Sequence, residues 1–284
     1  MSSNYSVSST TTLSNGLPIP LIHLGVYESE GPACVSAVVS ALTLGYRGID
    51  SAEWYENESL CGDGIRSFLS SHPQHSREEI FYTTKLRDNG GYEHTKQAIR
   101  KSLSECGLGY IDMYLLHAPY GGKQVRRECW RAVEEAVKEG LVRTAGVSNF
   151  GVGHLRELIA APDLALRPAV NQIELHPFNT QREIVEFCRA EGIVIEAYSP
   201  LVRGLRFEHP VIVELSKKYG CSPAQLLVRW GLQNGFVVLP KSTKQERIKE
   251  NAEVAGFEIS QEDMDRLANC HEKLVTDWDP TDCE

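Results

Sequence analysis

The chain has 284 residues, of which 42% are hydrophobic and 24% are charged, and these proportions are typical of a globular protein. Its net charge of −9 argues against nucleic acid as a partner, because phosphate binding needs a basic surface. The length permits two small domains or one large α/β barrel, and length alone does not choose between them.

The first residues of the chain and its cysteines indicate the cellular compartment in which the protein is expected. The opening segment, MSSNYSVSSTTTLSNG, is polar and lacks the apolar region of a secretory signal. No apolar run approaches the roughly 18 residues that a membrane helix needs. The eight cysteines are scattered without a C-x-x-C pair, so reduced thiols are expected. We therefore expect a cytoplasmic protein that binds neither membrane nor nucleic acid.

The predicted elements alternate along the chain. Residues 1–10 are predicted to form a loose tail, and residues 11–21 a hairpin with Asn15-Gly16 at its turn. Short apolar runs then predict strands at residues 22–26, 46–50, 79–85, 111–117, 143–148, 169–173, 193–198 and 236–239. Apolar residues at helical spacing between them predict helices that include residues 34–44, 95–106, 128–139, 152–160, 181–191 and 245–255.

Eight strand–helix repeats without a linker predict one domain over residues 1–284, a (β/α)8 TIM barrel of the α/β class. The alternative is a doubly wound sheet, which would carry a G-x-G-x-x-G turn after its first strand. Gly62-Asp63-Gly64 and Gly107-Leu108-Gly109 both lack the third glycine at the right place. A Rossmann cofactor site is therefore not expected.

Ionisable side chains recur at the ends of the predicted strands, where barrel enzymes place their chemistry. Asp50 ends the second strand and Tyr55 follows it, while Lys85 and His117 end the third and fourth strands. Each residue alone is more often structural, as a turn former, a solvated charge, a packed ring or a hydrogen-bonded core side chain. Their convergence from three adjacent strands favours one catalytic pocket.

These four residue types fit the reduction of a carbonyl group. A free tyrosine has a pKa of about 10, and a nearby ammonium favours the phenolate, so we expect Lys85 to lower the pKa of Tyr55. Asp50 would hold Lys85 charged, and a neutral His117 would orient the carbonyl oxygen. Tyr55 would then give a proton to that oxygen while a nicotinamide supplies hydride to the carbon, and no metal is required.

The chain resembles the aldo-keto reductases from about residue 13 to residue 278. The motifs that carry the resemblance are GIDSA at 48–52 with Tyr55, Lys85, LLH at 115–117, GVSNF at 146–150, NQ at 171–172 with ELHP at 174–177, AYSPL at 197–201, and PKS at 240–242. The resemblance implies a catalytic tetrad of Asp50, Tyr55, Lys85 and His117. It also implies that Ser148, Asn149 and Gln172 bond the nicotinamide carboxamide, that Tyr198 stacks on the ring, and that Ser199 and Leu201 lie along the pyrophosphate.

A compact anion site is predicted at the last strand. Lys241 and Ser242 close that strand, and Arg247 lies in the first turn of the predicted helix that follows. A guanidinium binds phosphate strongly through two hydrogen bonds, and a helix N-terminus adds to the attraction. By resemblance this cluster holds the adenosine 2′-phosphate, with Glu250 and Asn251 near the adenine, which favours NADPH/NADP+ over NADH. The alternative is an ordinary solvated helix face.

The resemblance also implies an aromatic substrate pocket lined by Tyr27 and Trp54, with Tyr120 as a further candidate. Trp278 lies on a C-terminal tail that is expected to fold over the active-site face. Aromatic walls suit a flat or apolar carbonyl substrate. Ala118 stands where many relatives carry a bulky aromatic residue, which predicts a roomier pocket.

The run HAPYGG at 117–122 resembles a yeast and filamentous-fungal branch that reduces ketoesters, ketoamides, diketones and small aldehydes. Two alternatives stay open: a regulatory barrel that binds the nucleotide without turnover, and a sugar or alcohol dehydrogenase that runs in reverse. A metal-dependent hydrolase would need clustered ligands such as H-x-H, which the sequence lacks. The resemblance implies a monomer whose partner is a small carbonyl compound.

Overall fold

A short hairpin opens the part of the chain that the computed structural model describes, residues 5–284. Strands β1 (Thr10–Thr12) and β2 (Pro18–Pro20) pair antiparallel. Gly16 adopts a φ of 84°, in the left-handed region that favours glycine, and its N–H donates to Leu13 O at 2.9 Å. The predicted hairpin and its turn are confirmed.

Eight parallel strands follow and form one sheet in chain order. They are β3 (His23–Gly25), β4 (Gly48–Asp50), β5 (Phe81–Leu86), β6 (Ile111–Leu116), β7 (Val142–Ser148), β8 (Val170–Glu174), β9 (Val194–Tyr198) and β10 (Val237–Val238). The last strand meets the first, because Gly25 N donates to Pro240 O at 3.1 Å and Val238 N donates to Leu21 O at 2.9 Å. The predicted barrel is confirmed, and each predicted strand corresponds to an observed one.

Helices surround the barrel on its outer face. They are α1 (Gly31–Thr43), α2 (Glu58–Ser71), α3 (Gly91–Cys106), α4 (Gly122–Lys138), α5 (Val152–Ile159), α6 (Arg182–Ala190), α7 (Pro210–Tyr219), α8 (Pro223–Gln233), α9 (Gln245–Ala252) and α10 (Gln261–Ala268). Helix α4 begins six residues before its predicted start at residue 128. Gly121 and Gly122, with φ of 93° and 78°, turn the chain into the helix there, and the apolar spacing does not show such a turn.

Gly62 has a packing role rather than a cofactor role. A Cβ atom at this position would lie 1.9 Å from Cys106 O, so only glycine allows α2 to approach α3 this closely. This contact fixes the helix that follows the loop carrying Tyr55. The glycine at position 62 is therefore explained by helix packing.

Both ends of the described chain pack against the barrel. Residues 1–4 of the predicted loose tail lie outside the described residues. In the next part, Tyr5 and Val7 pack against the core, and the Tyr5 ring lies 4.8 Å from the Arg229 guanidinium. The C-terminal tail crosses the carboxyl ends of the strands, as predicted, and His154 Nε2 bonds Cys283 O at 2.7 Å.

Within residues 5–284, no helix has both the length and the apolar character that crossing a bilayer requires. The same residues bring no three His, Cys, Asp or Glu side chains together as a metal-binding group.

Candidate active site

The four predicted catalytic side chains meet at the carboxyl ends of β4, β5 and β6. Lys85 Nζ donates to Asp50 Oδ1 at 2.6 Å and to Tyr55 OH at 3.3 Å. Asp50 ends β4, Lys85 lies on β5 and His117 follows β6, so strand order places them side by side. A short 3-10 turn, Glu53–Tyr55, brings the tyrosine back to the lysine. The Tyr55 and His117 rings lie edge to face with centroids 5.8 Å apart.

The Lys85 ammonium is fully buried and has a third acceptor, Ser51 O, at 2.7 Å. Three acceptors match the three donors of an ammonium group. Burial lowers the pKa of Lys85, but Asp50 and Tyr55 together raise it by more than burial lowers it. The pKa of Lys85 therefore lies above its ordinary value. Lys85 is therefore a fixed positive charge beside the Tyr55 hydroxyl.

Tyr55 differs from the expectation of a lowered pKa. Burial raises the pKa of Tyr55 more than Lys85 lowers it, and the charge of Asp50 adds to the rise. The prediction of a lowered pKa for Tyr55 is therefore wrong. It included the effect of the Lys85 charge but not the desolvation of the tyrosine ring. Tyr55 keeps its proton at neutral pH, which is the state that a proton donor needs.

His117 is neutral at neutral pH. Burial, with a smaller effect of Lys85, holds the pKa of His117 well below its ordinary value of 6.5. Its Nδ1 is buried and has no hydrogen-bond partner in the described part of the chain. Aromatic contacts orient the ring, whose centroid lies 6.3 Å from that of Trp54 and 5.8 Å from that of Trp278.

The strands β7, β8 and β9 supply a polar wall next to these residues. Tyr198 OH donates to Asn149 Oδ1 at 2.9 Å, and Asn149 Nδ2 donates to His117 O at 3.0 Å. Ser148 Oγ donates to Gln172 O at 2.9 Å. Asn149 has a φ of 59°, which asparagine tolerates better than most residues. The residues predicted to bond a carboxamide therefore lie together.

A cavity of about 950 Å³ extends from this wall to the start of α9. The predicted site residues that line it are Tyr27, Asp50, Trp54, Tyr55, His117, Ser148, Asn149, Gln172, Tyr198, Ser199, Leu201, Lys241, Ser242, Arg247, Glu250, Asn251 and Trp278. Lys85 lies behind Asp50 and Tyr55.

Two predicted pocket residues lie outside this lining. Ala118 is buried, and its carbonyl oxygen accepts a hydrogen bond from Asn89 Nδ2 at 2.8 Å. Tyr120 stands at the rim, 47% exposed, with its ring centroid 5.9 Å from that of Trp278. The place of Ala118 in the pocket wall stays a prediction, since its side chain is not among those that line the cavity.

The far end of the cavity is positively charged, although the whole chain is acidic. Lys241, Lys244 and Arg247 line it with exposed side chains. Helix α9 begins at Gln245 without a side-chain cap, so its first N–H groups remain open to a ligand. Lys244 was not predicted, and its position directly before a helix that follows a strand was the available signal. These groups form a suitable site for an anion.

The C-terminal tail is held in place by a buried carboxylate, a role that no local sequence pattern predicts. Glu174 Oε1 accepts from the backbone N of Thr276 at 2.9 Å and from its Oγ1 at 2.7 Å. His176 Nε2 bonds the same oxygen at 2.9 Å. Two residues further on, the Trp278 ring lies 6.2 Å from the Trp54 ring. Glu174 thereby fixes an aromatic side chain of the cavity.

Two further sets of hydrogen bonds around the cavity join residues that are distant in sequence. Arg203 Nη2 donates to both carboxylate oxygens of Glu28 at 3.0 Å, and both residues line the cavity. Asn57 is buried, and its Nδ2 donates to Val26 O at 2.9 Å and Ser29 O at 3.0 Å, which joins two loops of the rim. Neither pairing leaves a local pattern in the sequence.

Residues 30–272 match the Aldo/keto reductase family. The chain belongs to this family of oxidoreductases. It is 46% identical over 274 residues to an oxidoreductase of Schizosaccharomyces pombe whose name calls it uncharacterised, covering 96% of this chain and 98% of that one. It is 43% identical over 264 residues to the glyoxal reductase of Bacillus subtilis, covering 92% of each chain.

A solved structure has the same architecture. An aldo-keto reductase from a Medee basin deep-sea metagenome library superposes with a TM-score of 0.88 at 35% identity, covering 93% of this chain and 96% of that one. The similarity of the two structures therefore agrees with the barrel fold and with the family membership.

Aldo/keto reductases generally use nicotinamide cofactors, and the cavity of this member fits one. Buried hydroxyl and amide groups of Ser148, Asn149 and Gln172 suit a carboxamide at the catalytic end. Exposed cations at the other end suit phosphates. The volume lies at the upper end of the roughly 300–1,000 Å³ of ordinary ligand pockets, as a long ligand requires.

Proposed function

We propose that this aldo/keto reductase uses NADPH to reduce aldehydes or ketones to alcohols, with Tyr55 as the proton donor. The observation that carries the proposal is the Tyr55 hydroxyl 3.3 Å from a buried ammonium, at the wall of a cavity whose other end is cationic. The relative named glyoxal reductase supports small dicarbonyl substrates. The resemblance to the fungal branch adds ketoesters, ketoamides and diketones.

Each of the four residues has a distinct task. A nicotinamide held in this cavity would supply the hydride that the carbonyl carbon accepts. Tyr55 holds a proton at its hydroxyl and donates it to the carbonyl oxygen. Lys85 stabilises the phenolate that remains, because a positive charge at this distance favours the ionised ring. Asp50 keeps Lys85 charged and in place, and neutral His117 orients the carbonyl oxygen towards Tyr55.

We propose matching tasks for the rest of the cavity. Ser148, Asn149 and Gln172 hold the carboxamide, and Tyr198 offers its ring face to the nicotinamide. Ser199 and Leu201 follow the pyrophosphate, Lys241, Ser242 and Arg247 bind the 2′-phosphate, and Glu250 and Asn251 contact the adenine. We propose a monomeric, single-domain cytoplasmic enzyme, as the resemblance to the family implies.

Steady turnover tests the proposal. The absorbance of NADPH is followed with glyoxal, an aromatic aldehyde, a diketone and a ketoester, and NADH is run in parallel. We expect continuous oxidation of NADPH and slower oxidation of NADH. Tight NADPH binding without oxidation by any carbonyl would favour a regulatory barrel instead.

The tail provides a prediction about substrate choice. Thr276→Val removes one hydrogen bond to the Glu174 carboxylate, and a bond to a charged group contributes about 1.5–3 kcal/mol. The backbone N–H of Thr276 still bonds Glu174, but the tail is held less firmly and Trp278 becomes more mobile. We therefore expect KM for a flat aromatic aldehyde to rise about tenfold. KM for glyoxal should stay close to wild type, since a small substrate makes little contact with the tail.

Steady-state kinetics with both substrates measures this effect. Thr276→Ser is the matched control, because it keeps the hydroxyl group, and it should retain the wild-type KM values. An equal rise for both substrates, or the same rise in the serine variant, would refute the role of the tail.

A further inference from the structure

A second carboxyl group lies beneath the predicted tetrad. Glu196 is two residues before Tyr198 on β9, so both side chains point to the same face of the strand. In the sheet it pairs with Gln172 on β8 and with Val237 on β10. Its exposure is 0%, and it is not part of the cavity lining. Glu196 therefore lies one layer behind the cavity wall.

One amide group joins this carboxyl to the tetrad. Gln172 Nε2 donates to Glu196 Oε2 at 2.7 Å and to Asp50 Oδ2 at 2.8 Å. An amide nitrogen carries two hydrogens, so both are used. The other oxygen of Asp50 accepts from Lys85. A change of charge at Glu196 is therefore passed through a single side chain to Asp50 and Lys85.

The cluster contains two carboxyl groups and one ammonium. Lys85 lies against Asp50, and Glu196 Oε1 has no partner among residues 5–284. An unpaired buried charge is far more costly than a neutral acid. Burial and the charge of Asp50 raise the pKa of Glu196 to about 8, although Gln172 and Lys85 oppose the rise. Glu196 therefore carries a proton at neutral pH.

The other ionisable groups near this cluster are uncharged at neutral pH. They are Tyr55 and Tyr198, whose pKa values burial raises, and His117 and His23, whose pKa values burial lowers. The strand partners of Glu196 on β8 and β10 are not ionisable. Asp50 on β4 and Lys85 on β5 are therefore the charged groups that act on Glu196.

We propose that Glu196 is a positioning residue that holds a proton in the free enzyme and releases it when the oxidised, positively charged nicotinamide binds. The inference rests on the proposed function, since it requires that cofactor. The O–H bond of the carboxyl breaks, the proton passes to solvent, and the carboxylate formed is attracted by the positive ring. The reduced ring is neutral, so Glu196 stays protonated beside it.

This linkage has a defined sign. A positive ring lowers the pKa of Glu196 below its value of about 8 in the free protein. Between those two pKa values, binding of NADP+ releases a proton, so its affinity rises with pH and becomes constant above about pH 8. NADPH affinity lacks this contribution.

The test compares the Kd of NADP+ with that of NADPH between about pH 6.5 and about pH 8.5, by quenching of tryptophan fluorescence. We expect the Kd of NADP+ divided by the Kd of NADPH to fall about tenfold as the pH rises over this range in the wild type. It should stay constant in Glu196→Gln, which keeps an acceptor for Gln172 but cannot ionise. Tyr55→Phe removes the other group that a positive ring would ionise but leaves Glu196 unchanged. This variant should therefore retain the pH dependence of the Kd ratio.

A constant ratio in the wild type, an undiminished slope in Glu196→Gln, or a slope lost in Tyr55→Phe would each overturn the inference. If neither NADP+ nor NADPH binds, the proposed function is overturned instead. If Glu196→Gln does not fold, a pH-indicator dye in weakly buffered wild-type protein replaces it. We then expect proton release on adding NADP+ and none on adding NADPH, and equal release with both would overturn the inference.

Discussion

Tyr55→Phe is expected to lower kcat for carbonyl reduction by about 10²–10⁴-fold, the usual contribution of a positioned general acid. The variant loses a single oxygen atom and keeps the ring that packs between Tyr27 and His117, with centroids 5.1 Å and 5.8 Å away. The cavity and its cationic end are unchanged, so the Kd of NADPH should remain within about twofold of the wild type.

Single-turnover kinetics and NADPH titration of the same variant measure these two quantities. Tyr27→Phe is the matched control, because it makes the same change to another tyrosine of the cavity that is not bonded to Lys85. It should keep most of the activity. Near-normal reduction by Tyr55→Phe, or equal losses in the two variants, would refute the assignment of the proton donor.

Arg247→Ala is expected to weaken NADPH binding by about tenfold to a hundredfold, which corresponds to a hydrogen bond to a charged group of about 1.5–3 kcal/mol. NADH affinity should change by less than about twofold, because NADH lacks the phosphate that the guanidinium would bind. The first-turn position of Arg247 on α9 adds the open N–H groups of the helix to the same site.

Fluorescence titration of both nucleotides at fixed salt measures this selectivity. Lys249→Ala is the control, because it removes a positive charge from the same helix at a side chain that lies 3.6 Å from Glu253 and outside the cavity lining. It should affect both nucleotides slightly and equally. If Arg247→Ala weakened NADPH and NADH to the same extent, the phosphate assignment would be wrong.

The barrel was predictable because its evidence is local. Each strand is a short apolar run, each helix shows apolar residues at helical spacing, and their alternation determines the architecture. The strand ends then place Asp50, Lys85 and His117 on one rim without further knowledge of the packing. Where a boundary was missed, as at the start of α4, a glycine pair with positive φ determined the turn.

The remaining parts of the site depend on contacts between distant residues. The bonds from Gln172 to Glu196 and from Thr276 to Glu174 join residues that no local pattern relates. The pKa of Tyr55 depends on how completely the ring is buried, and sequence spacing indicated only its neighbouring charge. The order of the strands determines which charged groups lie next to a side chain, whereas the detailed packing determines how completely that side chain is desolvated.

Transfer of a labelled hydride tests the central claim most directly. The enzyme is incubated with glyoxal or an aromatic aldehyde and NADPH that carries deuterium at both C4 positions of the nicotinamide, and the product is examined by mass spectrometry. We predict an alcohol with one deuterium on the former carbonyl carbon, formed by the wild type and largely lost in Tyr55→Phe. An alcohol without deuterium, or bound nucleotide with no alcohol formed, would contradict the account.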